Sequence, residues 1–337
     1  MHAETAPRQH PARDPWLDNT RFALIVLVVL GHCLEPLLDE SPLFATTYRF
    51  IYLFHIPAFA FLSGAVARAD AGAHLLRNVV FRLLLPYLAF QAIYSLAAQW
   101  PAWPDRGPAG VATPYWLLWY LLSLAGWRLL LPWFARLRWP LLSAIALAIA
   151  AGCASGLGYY LSLSRTLVFF PMFVLGWRYC HPWRAKRTGV TLKLAAAAML
   201  LALLAAASDP AMNAQWLYGS QGYARLGTDA AAGMALRLLQ LGAGIAGTAA
   251  FLTLIPKRPL PVSAMGARSM PTYLLHGLLV KFAVAAGIFG MLRSLPDSVA
   301  APLLIVMTLA CVFALCTRPA QRLLEPVIAP RWLERRL

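Results

Sequence analysis

The chain has 337 residues, 60% of them hydrophobic and only 12% charged. Soluble domains carry about 25% charged residues, so this chain cannot coat a water-facing globule of its size. A secreted or cytosolic enzyme is excluded, and a polytopic membrane protein is expected. The 29 lysines and arginines against 13 acidic residues give a net charge of +16. On a soluble chain that excess would suggest nucleic acid. On a membrane chain it marks the cytoplasmic side, and no nucleic-acid partner is expected. Cys33, Cys153, Cys180, Cys311 and Cys316 are odd in number and form no CxxC pair, so neither a disulfide framework nor a zinc site is read. No cleavable signal peptide is expected, because the first fifteen residues are polar and no small-residue cleavage pattern follows the first apolar run.

Crossing about 30 Å of hydrocarbon takes roughly 20 apolar residues. Ten runs qualify or come close: about 20–38, 47–67, 79–100, 114–134, 140–157, 165–180, 192–208, 233–255, 269–290 and 298–316. The fold class is therefore all-α, a polytopic bundle of about ten transmembrane helices. The 140–157 run is rich in Ala and Gly, which suits close helix packing, and Pro171 predicts a kink in the short sixth run. With the N-terminus inside, 22 of the 29 basic residues fall on the cytoplasmic face. The other 7 are Arg49, Arg106, Arg165, Arg225, Arg237, Lys281 and Arg293. This bias predicts an N-in, C-in protein in the cell (plasma or inner) membrane, surrounded by membrane lipid. The expected division is a cytoplasmic segment 1–17, a membrane domain 18–316 and a basic amphipathic tail 317–337 lying on the inner surface. The longest outer loop, about 209–232, carries Trp216, Tyr218, Tyr223 and Asp229. It suits either contact with a glycan-like group or an ordinary interfacial aromatic belt.

Ionisable groups inside a membrane are costly and mark functional candidates. On the first span Arg21 and His32 are eleven residues apart, about 1,100° of rotation, within roughly 20° of three full turns, and about 16 Å of rise. They share one helix face. Glu35 lies one turn beyond His32, and Asp18 one turn before Arg21. That geometry suits a long anionic donor whose phosphates meet Arg21 and whose acyl thioester reaches His32. Taken singly, Arg21 also reads as a positive-inside anchor and His32 as a packed, hydrogen-bonded side chain. His55 on the second span and His276 on the ninth lie at similar depth, so a shared polar cavity is expected. Histidine is the natural general base near neutral pH. No ligand spacing along any one helix favours a metal, and none is expected. Arg68, Arg77 and Arg82 in and after the following loop read either as an extension of the phosphate site or as positive-inside charge. Arg165 opens the sixth span on the side where cations are scarce, which calls for substrate contact or an acidic partner.

Several short motifs then occur in a fixed order: Asp18-Asn19, Arg21-x10-His32, Phe54-His55-Ile56-Pro57, Leu62-Ser63-Gly64, Arg82 with Leu85-Pro86-Tyr87, Trp116 with Trp119-Tyr120-Leu121, Arg165 with Phe169-Phe170-Pro171-Met172-Phe173 and Gly176, and Gly266 with Ser269 and Tyr273-Leu274-Leu275-His276. Over about 18–280 the chain resembles the acyltransferase 3 family of integral membrane acyltransferases, and looks closest to its fucose 4-O-acetylase-type branch. The resemblance implies a ten-helix fold and transfer of an acyl group, usually acetyl, from cytoplasmic acyl-CoA (acetyl-CoA as co-substrate) to a hydroxyl of a glycan or lipid-linked sugar. It implies His32 as the essential histidine and Arg21 as its signature partner. The family's Arg-x-x-Arg pair before the third-helix proline is incomplete, since only Arg82 fits and Arg77 stands five residues earlier.

The expected site therefore has His32 as general base with Arg21 and Glu35, and Arg21, Arg77 and Arg82 for the donor. His55, Tyr120, Arg165, Tyr273 and His276 are the candidates for contacting substrate or the oxyanion. The competing class is a transporter or flippase of a sugar- or lipid-linked substrate, which also places ionisable residues at mid-depth. The absence of an internal repeat between the halves weighs against it.

Overall fold

A computed structural model describes residues 14–105, 110–154, 156–185 and 188–328, apart from the side chains of 182–185. The described residues form helices and no strand. In chain order the helices are α1 (Pro15–Leu34), α2 (Pro42–Ala65), α3 (Ala73–Val79), α4 (Leu85–Ala97), α5 (Trp119–Phe134), α6 (Pro140–Cys153), α7 (Leu163–Ala185), α8 (Val190–Ala207), α9 (Ala230–Leu254), α10 (Ser263–Gly266), α11 (Ser269–Ala285), α12 (Ile288–Arg293), α13 (Asp297–Leu315) and α14 (Arg318–Ile328). A π-helical turn, Val80–Leu84, joins α3 to α4, so the two run as one rod.

Among the described residues, seven helical segments are long and apolar enough to cross a membrane: Pro15–Leu37, Ala73–Ala97, Trp116–Phe134, Tyr160–His181, Val190–Ala207, Ala230–Leu254 and Asp297–Leu315. The remaining three sequence runs become α2, α6 and α11. Helix α2 has the length, at 24 residues, but its polar content, including Arg49, Tyr48, Tyr52 and His55, dilutes its hydropathy. Helix α6 stops at Cys153 after 14 residues, about 21 Å of rise, short of the run expected to 157. Helix α11 has 17 residues and ends at Ala285, where Gly287 (φ +76°) turns the chain into the separate α12.

Two tight backbone crossings set the bundle. A Cβ on Gly64 would lie 1.9 Å from the Phe173 carbonyl oxygen, and one on Gly176 would lie 1.9 Å from that of Phe61. Helices α2 and α7 therefore touch main chain to main chain, the close approach that small residues permit in membranes. Phe61, Leu62, Trp127, Phe169, Phe170 and Phe173 fill the core around that crossing. Helix α1 is fixed at its start. Asp14 caps it by accepting from the Trp16 and Leu17 amides. Asn19 donates to the carbonyls of Pro256 and Arg258, both at 2.9 Å, and accepts from Ser263. Asn19 thus clamps the 255–268 segment against α1, while the buried Asp18 and Thr20 side chains bond within the helix, to Arg21 and the Trp16 carbonyl.

The bundle has two ends. One holds Arg21, the 66–72 loop, the 255–268 segment and α14. The other holds Glu35, residues 98–105 and 110–115, the 208–229 loop, and α12, which is tied down by Arg293 through Glu40 at 3.3 Å and the Pro36 carbonyl at 2.6 Å. Described basic residues gather at the Arg21 end. Only Arg49, Arg165, Arg225, Arg237, Lys281 and Arg293 lie towards the Glu35 end. Residues 1–13, most of the proposed N-terminal segment, and 329–337 of the tail lie outside the described residues, as does Arg106. The described part of the tail is α14. Its Leu324 is buried in the bundle.

Candidate functional site

His32 lies in the last turn of α1, and the chain tightens beyond it into a 3-10 turn, Glu35–Leu37. The i,i+3 spacing brings His32 Nδ1 to 3.0 Å from Glu35 Oε1. Glu35 collects further donors. Tyr52 donates to it at 3.0 Å and Tyr48 at 3.4 Å, and the Trp116 indole N–H reaches Oε2 at 3.1 Å. A carboxylate held by this many donors acts as an acceptor. His32 then carries its proton on Nδ1, and the lone pair is on Nε2. This is the arrangement in which a carboxylate fixes a base histidine's tautomer.

His32 borders two cavities. The first, about 410 Å³, opens towards the Arg21 end. Arg21, His32, Arg82, Tyr120 and Tyr273 line it together with an apolar wall that includes Ile25, Val28, Phe59 and Leu121. The eleven-residue spacing on α1 thus puts Arg21 and His32 on one wall. Arg21 also pairs with Asp18 at 3.1 Å. Arg82 enters from the π turn Val80–Leu84, a local distortion common at functional sites. Within this cavity the Tyr120 hydroxyl shares a hydrogen bond with Ser63 at 2.9 Å, and Tyr273 donates to the Leu117 carbonyl at 2.8 Å.

The second cavity, about 270 Å³, lies towards the Glu35 end. Its wall is polar and aromatic: His32, Glu35, Tyr48, Tyr52, His55, Trp116, Trp119, Tyr159, Arg165 and Tyr218. His32, Ile56, Leu117 and Trp119 line both cavities. The Arg165 guanidinium sits over the Trp119 ring at 4.9 Å and the Tyr159 ring at 5.0 Å, and its Nε donates to the Tyr218 carbonyl at 3.3 Å. The Tyr48 and Tyr218 hydroxyls share a hydrogen bond at 2.9 Å. Burial raises the Tyr218 pKa above the usual phenol range, so it is a neutral hydrogen-bonding hydroxyl.

The other sequence candidates divide. His276 is fully buried, its ring centroid 5.3 Å from that of His32. His276 Nδ1 donates to the Thr272 carbonyl at 2.7 Å and His55 Nδ1 to the Ile51 carbonyl at 2.8 Å. A carbonyl only accepts, so both rings carry the proton on Nδ1. His55 faces the second cavity, whereas His276 lines neither. Arg77 stands on α3 and borders neither cavity.

The geometry adds residues that the sequence argument passed over. Tyr48 and Tyr52 are four residues apart, and Tyr52 precedes His55 by three, so helical periodicity on α2 already put them on one face. Trp116 was visible only as part of a motif. It packs edge-on against His32 with centroids 4.4 Å apart, and its backbone is held at φ +38°. A bulky residue in that region is strained, as is common at functional sites. Lys281 ion-pairs with Asp105 and places Nζ 4.4 Å from the Trp116 ring centroid. Nothing local in the sequence links Asp105, Trp116 and Lys281; only the folded bundle does.

Comparison with known proteins agrees with the extent of these motifs. A family model described as an acyltransferase domain matches residues 14–317. The chain is also 26% identical over 208 residues to the Nodulation protein NolL of Mesorhizobium japonicum (strain LMG 29417 / CECT 9101 / MAFF 303099). That match covers 53% of this chain and 53% of the relative, so the chain spans about half the length of the curated protein it matches. No solved structure matches.

Proposed function

The chain belongs to the acyltransferase 3 family, and from that premise we propose that it is a membrane O-acyltransferase that moves an acyl group, acetyl first among candidates, from acyl-CoA to a hydroxyl of a glycan or lipid-linked sugar. The observation that carries this is the position of His32 on the wall common to two unlike cavities. In the proposed orientation the Arg21 end faces the cytoplasm, the ten helical runs all span, and the protein resides in the plasma or inner membrane. The excess of basic residues at that end supports it.

Acyl-CoA enters the first cavity. Arg21 and Arg82 take its phosphates by charge-assisted hydrogen bonds, and the apolar wall receives the arm that carries the thioester to His32. The acceptor enters the second cavity, whose aromatic rings and hydroxyls suit a sugar face. His32 Nε2 removes the proton of the acceptor hydroxyl as its oxygen attacks the thioester carbonyl. The C=O pair moves onto oxygen, where Tyr120 or another hydroxyl of the cavity wall donates to the oxyanion. The intermediate collapses, the C–S bond breaks, and His32 returns the proton to the departing thiolate. The products are the ester and free CoA thiol. Glu35 holds the ring and balances the transient imidazolium. General base catalysis of this kind contributes about 10²–10⁴-fold.

The test is transfer of labelled acetyl from acetyl-CoA to membrane glycan by the purified full chain and by His32→Ala. Loss of transfer with acetyl-CoA binding retained is expected. Full activity in the variant sinks the mechanism.

A further inference from the structure

Arg165 is the one described cation that lines the second cavity; Arg49 and Arg237 also lack a carboxylate, and Arg237 also lies over two aromatic rings, but neither borders that cavity. Lys281 has Asp105, Arg293 has Glu40, Arg49 donates to the Ala207 carbonyl, and Arg237 donates to Gln240. Arg225 stands on the open loop. Arg165 is half-buried in a cavity wall and makes no salt bridge within 4 Å among the described residues, although the Glu35 carboxylate on the same wall attracts it through space. The one acid on that wall, Glu35, is already engaged by His32, Tyr52, Tyr48 and Trp116. Arg165 uses only Nε in a hydrogen bond, to the Tyr218 carbonyl. Its guanidinium is held over Trp119 and Tyr159.

Stacking on aromatic rings fixes a guanidinium's plane through its π face. It leaves the in-plane donors of the two terminal nitrogens in their fork geometry. That fork matches the two oxygens of a carboxylate or phosphate. Taking a cation from water without a counter-ion is costly, and Arg165, unlike the fully buried Arg237, borders open cavity space that an anion can fill.

Resting on the proposed acyl transfer, we infer that the second cavity selects acceptors bearing an anionic group, a sugar carboxylate or a sugar phosphate, which Arg165 grips bidentately while a neighbouring hydroxyl is presented to His32. The 270 Å³ volume lies near the low end for small-molecule sites, about 300–1,000 Å³, so the anion and the acylated hydroxyl belong to the same sugar or to adjacent ones.

The experiment is binding, separate from chemistry. Purified full chain is titrated with glucuronate, glucose 6-phosphate and glucose, following tryptophan fluorescence, because Trp116 and Trp119 line the cavity. Wild type is expected to bind at least one anionic sugar tenfold or more tighter than glucose. The order of glucuronate and glucose 6-phosphate then distinguishes carboxylate from phosphate. Arg165→Gln is expected to remove the preference, bringing the anionic sugars to within about twofold of glucose. Arg165→Lys, which keeps the charge without the fork, is expected to retain part of it, and it serves as the readout if the glutamine variant fails to fold. Equal binding of the three sugars by wild type overturns the inference. So does an undiminished preference in Arg165→Gln or, should that variant not fold, in Arg165→Lys. A preference that survives in a protein whose His32→Ala variant still transfers acetyl would refute the His32 mechanism and leave only the anion grip of Arg165 standing.

Discussion

The two cavities that meet at His32 are built from opposite materials. The one towards Arg21 is an apolar channel with arginines at its edge and two tyrosine hydroxyls further in. The one towards Glu35 is smaller and lined almost throughout by groups that hydrogen-bond or stack. A long flexible donor gains from the first kind of wall, where burying its arm is favourable and only its charged end needs pairing. A polyhydroxylated acceptor gains from the second, where every hydroxyl lost from water needs a partner. On the proposed acyl transfer, that difference gives each substrate its own side of His32.

Breaking the polar side has the largest expected effect. Glu35→Gln removes the charge that holds the His32 tautomer and balances its imidazolium. The transfer rate should fall by about 10²–10⁴-fold, by analogy with the loss of the carboxylate in a catalytic triad, while the KM for acetyl-CoA stays near wild type. Breaking the apolar side acts differently. Arg21→Ala should raise the KM for acetyl-CoA by about ten- to a hundredfold, the worth of a charge-assisted hydrogen bond, with kcat changed little. If the two variants instead show the same kinetic pattern, the division between the cavities is wrong. The smallest effect is expected from Lys281→Met, which keeps the stem but removes the cation from the Trp116 ring and from Asp105. A cation–π contact worth about 0.5–1 kcal/mol corresponds to a two- to fivefold drop in kcat, with both KM values unchanged. Initial-rate kinetics over both substrates check all three.

The sequence is most legible where periodicity does the work. Arg21 and His32 are separated by about three helical turns, so their common wall follows from counting along α1, and Glu35 reaches His32 through the i,i+3 spacing. The same logic reaches Tyr48, Tyr52 and His55 on α2. What resists counting is contact between distant segments. Arg165 meets Trp119 from another helix and Tyr218 from a loop about fifty residues on, and Trp116 is locked between Glu35 and Lys281, which lie far from it in either direction along the chain. Helix ends were also hidden. The Ala- and Gly-rich 140–157 run looks continuous by composition, yet α6 ends at Cys153. Its last turns anchor the 208–229 loop instead: Tyr223 donates from its amide to the Gly152 carbonyl and from its hydroxyl to the Ile149 carbonyl. Gly64 and Gly176 were visible as motif members, but the carbonyls they make room for belong to the opposing helix.

The most direct test of the two-sided site uses sealed membrane vesicles of known orientation carrying the full chain and its native glycan. Labelled acetyl-CoA is added to one face only. Addition to the face bearing the Arg21 end should place label on glycan at the opposite face, where an externally added esterase cannot remove it, and the His32→Ala chain should place none. Label appearing on glycan at the same face as the donor would contradict the account.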